Sequence, residues 1–213
     1  MDLYILIGSV ISILVGVLPL FFVKRDIQAF VVAAAAYFTA IIVKVVIQYS
    51  FLSFFEKPQI PTYLAYGALT AATEPGFAYV FARLVKGDSQ VYGVALAFWE
   101  NAVLEGLLLL PDAFILNNTV VLTTLLQLII VKIVDRTSSL LLHYSWGVTA
   151  CLSHRKNNIK YIIVTAPFGF VDSIATYADL NHLSLRSMFI LFSIPDFTLS
   201  LLSFIVARRF LYS

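Results

Sequence analysis

The sequence predicts an all-α fold, a polytopic transmembrane bundle of about seven helices with the N-terminus outside and the C-terminus inside, built as one integral membrane domain over 1–213. Three observations predict it. Of 213 residues, 61% are apolar and 12% charged, with mean hydropathy +0.93; a soluble domain of this size carries about 45–50% apolar and about 25% charged residues. The apolar residues fall in runs of the roughly 20 residues needed to cross about 30 Å of hydrocarbon, leaving short connectors and no room for a separate soluble domain. The basic residues, finally, divide unevenly between those connectors, which sets orientation.

The first run, about 3–23, has no basic residue before it and no small-residue cleavage site after it, only Lys24-Arg25-Asp26. It reads as a retained helix rather than a signal peptide. The second covers 27–50, and the third 62–85 follows a Glu56-Lys57-Pro58 break and closes at Lys86-Gly87-Asp88-Ser89. The fourth, 90–110, stops at Pro111-Asp112, and the last two are 160–179 and 187–206. The fifth, 118–152, is 35 residues long with Lys132, Asp135 and Arg136 in its middle, so it reads as one long helix or as two spans.

Counting Lys and Arg at the membrane ends decides between these. One long fifth helix puts Lys24, Arg25, Arg83, Lys86, Arg155, Lys156, Lys160, Arg208 and Arg209 at inner ends, against Lys57 and Arg186 at outer ends. Splitting it would destroy that asymmetry. A multi-pass protein of the cell membrane is expected, with the lipid bilayer as its first partner.

The net charge of +2, from 14 basic and 12 acidic residues, is too balanced for nucleic-acid binding. A single cysteine, Cys151, excludes an intramolecular disulfide and a cysteine zinc cage, and reads as a small apolar helix residue. There is no low-complexity segment and no repeat of the kind that builds inverted-repeat transporters. Asn117-Asn118-Thr119 forms a glycosylation sequon in an expected outer loop.

Ionisable side chains at membrane depth are costly unless paired or hydrated, so each is a candidate functional residue. Glu74, Glu100, Asn101, Asp135, Arg136 and Asp196 fall halfway along their runs; Lys44, Glu105, Lys132, His143 and Asp172 fall off the midplane. Helical spacing predicts that Asn101 and Glu105 share a face, with Glu100 turned about 100° away, and that Arg136, Ser139 and His143 form one polar stripe. Arg136 is expected to pair with Glu74, Glu105 or Asp172. Lys44 and Lys132 are expected to snorkel to an interface or to pair with a carboxylate. Pro75-Gly76 beside Glu74, and Pro167 and Gly169 before Asp172, kink their helices and free backbone carbonyls, which favours a hydrated chamber lined by helices three to six. Such a chamber could bind a metal and activate water, relay protons or ions as a small transporter, or hold a noncatalytic accessory subunit together.

The order of motifs resembles one family. Tyr66 through Glu74-Pro75-Gly76 is similar to the helix of YhfC-type intramembrane proteases, relatives of the CAAX-protease-like (CPBP) group of glutamic intramembrane proteases, that carries a Glu-Glu pair followed by an arginine. Gly93 through Trp99-Glu100-Asn101 and Glu105-Gly106 resembles their next helix, where Gly-His-Gly leads into a glutamate. Asp135-Arg136, six residues and then His143 looks like their Glu-Arg and His helix, down to the basic stretch His154-Arg155-Lys156. Phe168 through Asp172 falls where the family has a histidine four residues before an aspartate. The resemblance covers about 62–176. Departures are Pro75 for the second glutamate, Ala78 for the arginine, Glu100 or Asn101 for the histidine of the fourth helix, and Phe168 for the late histidine.

The resemblance implies a hydrolase acting on a membrane peptide. Glu74 would be the water-activating base, and His143 a metal ligand or oxyanion partner. Glu100, Asn101 and Glu105 would stand in the reacting set, with Asp135, Arg136, Asp172 and Ser139 as a supporting network. It also implies one divalent metal such as zinc, on His143 and Glu74, with a third ligand from Glu100, Glu105 or Asp172.

Overall fold

The computed structural model describes residues 2–116 and 122–212, apart from the side chains of 122–124, 185 and 186. The Asn117-Asn118-Thr119 sequon lies outside the described residues. All secondary structure among them is helical. In order these are α1 (Leu3–Val17), continued by a 3₁₀ turn to Phe22; α2 (Ile27–Ser50); the short α3 (Leu52–Phe55); α4 (Ile60–Ala82); α5 (Ser89–Phe98), which runs into a π-helical stretch, Trp99–Leu107; and the short α6 (Asp112–Ile115). Then come α7 (Leu122–Arg155), α8 (Lys160–Thr165), a 3₁₀ stretch Ala166–Val171, α9 (Asp172–Leu180), α10 (Leu185–Met188), a π-helical turn Phe189–Ser193 and α11 (Ile194–Tyr212).

Local chemistry sets these boundaries. Aspartates stand at the helix starts, where orphan N–H groups need acceptors: Asp2 accepts from the Tyr4 and Ile5 amides, Asp26 from Ala29 and Asp88 from Gln90. The long α7 stops at Asn157, whose φ of 48° is left-handed. There the Asn157 amide donates to the His154 carbonyl and the Asn158 amide to the Ser153 carbonyl at 2.9 Å, the paired bonds of a Schellman motif. The same pair of bonds ends α9 at His182. Pro167 has no N–H to continue a helix, and the chain passes through a 3₁₀ stretch between α8 and α9.

Among the described residues, five helices are long and apolar enough to cross a membrane: Leu3–Phe22, Ile27–Ser50, Ser89–Ile115, Lys160–Leu180 and Phe189–Tyr212. The other two long helices, α4 and α7, carry Glu74 and the Lys132-Asp135-Arg136 group, and α7 packs against α1, α4, α5, α8 and α11 at once. A helix enclosed by others can be more polar than one facing lipid. With 34 residues at about 1.5 Å each, α7 is about 50 Å long.

Because lipid removes the hydrophobic drive between helices, close packing and polar bonds must hold them. On α2 a stripe of Ala29, Ala33, Ala36 and Ala40 is buried. Gly93 of α5 and Gly147 of α7 meet at their backbones, with no space between them for a side chain. Polar tips stitch the bundle further: Tyr92 Oη donates to the Ala78 carbonyl, Trp99 Nε1 to Phe30 and Trp146 Nε1 to Thr165, at 2.9, 2.9 and 3.0 Å.

Contacts tie connectors to one another. The Asp2 amide donates to the Ala113 carbonyl at 2.7 Å, and Asn181 donates to Tyr63 Oη at 2.8 Å. Gly87 packs against Asp26, Arg155 donates to the Gly87 carbonyl, and Arg208 reaches Gln90 at 3.3 Å.

Candidate functional site

Six stretches of chain converge on a cavity of about 250 Å³. Lys44 and Tyr37 come from α2, Thr70 and Glu74 from α4, and Glu100 and Glu105 from the π-helical stretch. Asp135, Arg136, Ser139, His143 and Trp146 come from α7, Asp172 from α9 and Asp196 from α11. The chamber thus draws on helices two and seven as well as three to six, which widens the enclosure that the sequence predicts.

Glu74 and His143 meet there. Glu74 Oε2 lies 3.1 Å from His143 Nε2, and both side chains are under a tenth exposed. The contact is at ion-pair distance without the alignment of a full hydrogen bond. His143 Nδ1 lies 2.9 Å from the Ser139 carbonyl. A carbonyl only accepts, so Nδ1 carries its hydrogen. Nε2 therefore faces the carboxylate, so a proton taken up by the pair would lie between nitrogen and oxygen. Edge-on contacts with Tyr37 and Trp146, at centroid distances of 5.7 and 5.1 Å, fix the ring.

The other oxygen of Glu74, Oε1, is ion-paired with Lys44. Lys44 Nζ also lies 3.5 Å from Thr70 Oγ1, and the Thr70 hydroxyl donates to Asp172 Oδ2. Of the two alternatives expected for Lys44, pairing with a carboxylate is the one found. Lys132, 3.8 Å from Asp135, does the same.

Arg136 forms a second cluster. Its Nε and Nη2 donate to Asp135 Oδ2 at 3.1 and 2.9 Å, while Nη1 lies 3.3 Å from Glu105 and 3.7 Å from Glu100. Of the expected partners only Glu105 is found. Glu74 and Asp172 belong to Lys44 and Thr70 instead, because α2, outside the expected enclosure of helices three to six, stands against α4.

The predicted sharing of a face by Asn101 and Glu105 is also corrected. Five residues at about 100° each would leave Glu100 and Glu105 about 140° apart on an α-helix. The wider turn of a π-helix, here with the Leu108 amide bonded to the Val103 carbonyl, closes that angle. Both glutamates face the cavity, whereas Asn101 is not among its lining residues; it is fully buried with neither side-chain polar atom hydrogen-bonded. The stripe of Arg136, Ser139 and His143 does line the cavity.

The donor set does not fit the implied metal. No group of three or more His, Cys, Asp and Glu among the described residues is arranged to hold an ion. Glu74 already meets an ammonium on one oxygen and an imidazole on the other. Positive charge that a zinc ion would bring is supplied at this carboxylate by Lys44. Chemistry available to the residues themselves is proton transfer at the Glu74–His143 pair in a cavity with room for several waters.

Lys44, Tyr37, Thr70, Trp146 and Asp196 are among the wall residues missing from the site expected on sequence. The signal for Lys44 was present, an ionisable group inside an apolar run. Nothing in the sequence marked Tyr37 or Thr70, which are ordinary membrane-helix residues. No protein-family model, no curated protein and no solved structure matches the chain.

Proposed function

We propose that this membrane protein crosses the bilayer seven times, N-terminus outside and C-terminus inside, and that its cavity is a hydrolytic site of the intramembrane-protease type for a peptide bond in or near the membrane. The juxtaposition of Glu74 and His143 in a polar cavity inside an apolar bundle carries this reading. The motif resemblance and the nine-to-two distribution of basic residues support it.

In this mechanism a water in the cavity adds its oxygen to the peptide carbonyl carbon, and its proton passes to the Glu74–His143 pair. The same proton is then delivered to the departing amine nitrogen as the carbon–nitrogen bond breaks, which regenerates the pair. The Ser139 carbonyl keeps Nδ1 protonated, so the pair always presents Nε2 to the carboxylate. Glu74→Gln keeps the shape of the side chain and removes the base. Its kcat on a membrane-peptide substrate should fall about 10³-fold, within the range for general-base removal; full cleavage by that variant overturns the assignment.

A second reading has its own observation: two cations of the cavity wall, Lys44 and Arg136, are engaged with carboxylates of neighbouring helices. Such pairs also suit a noncatalytic scaffold or accessory subunit. That reading expects native purification to bring down a partner at fixed stoichiometry, with no peptide cleaved by the wild-type chain.

A further inference from the structure

We propose that Lys44, contributed by α2, is the positioning residue of the site. It keeps the Glu74 carboxylate charged and aims Oε2 at His143. The inference rests on the reading of Glu74 as the base, but its evidence is separate, because α2 lies outside the segment that resembles the proteases.

The Glu74 side chain is 8% exposed. A carboxylate that deep either takes up a proton or finds a counter-charge. Arg136 does not supply that charge, since its guanidinium is spent on Asp135, Glu105 and Glu100. His143 meets only Oε2. Oε1 is held by Lys44, whose side chain is itself 15% exposed, its stem running within the bundle and its ammonium inside the cavity wall. Dividing the two oxygens between α2 and α7 fixes the carboxylate's rotation. Thr70 completes the arrangement: it accepts from Lys44 Nζ and donates to Asp172, so the ammonium holds Glu74 directly and is linked to Asp172 through the Thr70 hydroxyl. The line Asp172, Thr70, Lys44, Glu74, His143, Ser139 runs unbroken across the cavity.

The test uses the full chain in nanodiscs and a hydrophobic carbodiimide, which modifies buried carboxyls when they are protonated, with Glu74 modification read by mass spectrometry. Glu74 should stay unmodified in wild type and in Lys44→Arg, and be modified in Lys44→Met. On a membrane peptide, Lys44→Met should lower kcat about 100-fold with KM within about twofold, and Lys44→Arg should recover most of the loss. An unmodified Glu74 in Lys44→Met, or a wild-type kcat for that variant, overturns the proposal. If the wild type cleaves no peptide while the labelling pattern is obtained, the hydrolase reading falls and the charge-holding role of Lys44 stands. If Lys44→Met does not fold, Lys44→Met/Glu74→Gln decides: removing both charges should restore a melting temperature within a few degrees of wild type, and failure to restore it overturns the pairing.

Discussion

At the scale of single residues, the site is a matter of which charge meets which. Arg136 is the side chain on which most of the second cluster depends, with Asp135 on its own helix and Glu100 and Glu105 on the neighbouring stretch. Arg136→Gln leaves three carboxylates around a neutral amide, and breaking a buried pair from one side costs about 3–5 kcal/mol. Unfolding in detergent should show a loss of that size, whereas Arg136→Lys, which keeps the charge but not the fork, should lose less. Wild-type stability for Arg136→Gln would mean that water already serves these carboxylates. Glu74, Glu105, Arg136, His143 and Asp172 were legible in the sequence as ionisable groups stranded in apolar runs. Of their partners, only Glu105 for Arg136 was among those expected. Lys44 and Glu74 are thirty positions apart, and no spacing rule on one helix relates them.

At the scale of elements, the sequence marks where helices begin and end more reliably than how they turn. Aspartate caps and the Asn157 stop are local signals, and they act where they stand. The π-helical stretch Trp99–Leu107 carries no such signal; α-helical spacing applied there puts Asn101 on the wrong face. Close helix crossings are a related case. A Cβ on Gly147 would lie 2.7 Å from the Gly93 amide nitrogen, and one on Gly93 would lie 2.5 Å from the Tyr144 carbonyl oxygen. Backbone cannot yield as a side-chain tip does, so Gly93→Ala and Gly147→Ala should each destabilise the bundle by about 1–3 kcal/mol or more. Gly76 has nothing within 4 Å of that position. Gly76→Ala should be neutral or stabilising by about 0.5–1 kcal/mol, since alanine is the better helix former. Thermal melts of the three variants in one detergent check the contrast, and equal losses at all three would refute the crossing.

For the whole molecule, the uneven distribution of basic residues supports the proposed up-and-down topology. A cysteine at Lys57 should react with an impermeant maleimide in intact cells, in a Cys151→Ala background. Cysteines at Lys86 and Lys156 should react only after the membrane is opened. Labelling of Lys86→Cys or Lys156→Cys in intact cells would reverse the proposed orientation. By itself the sequence determined that this chain is helical, with helices apolar enough to cross a membrane and ionisable groups set within them, because hydropathy, run length and caps are properties of contiguous residues. Tertiary structure alone decided that Lys44 meets Glu74, that Arg136 takes Glu100 and Glu105, and that the donors among the described residues do not form a metal site. Those outcomes depend on which helices stand side by side and at what rotation, and in lipid that is settled by packing and polar contacts between segments far apart in the chain.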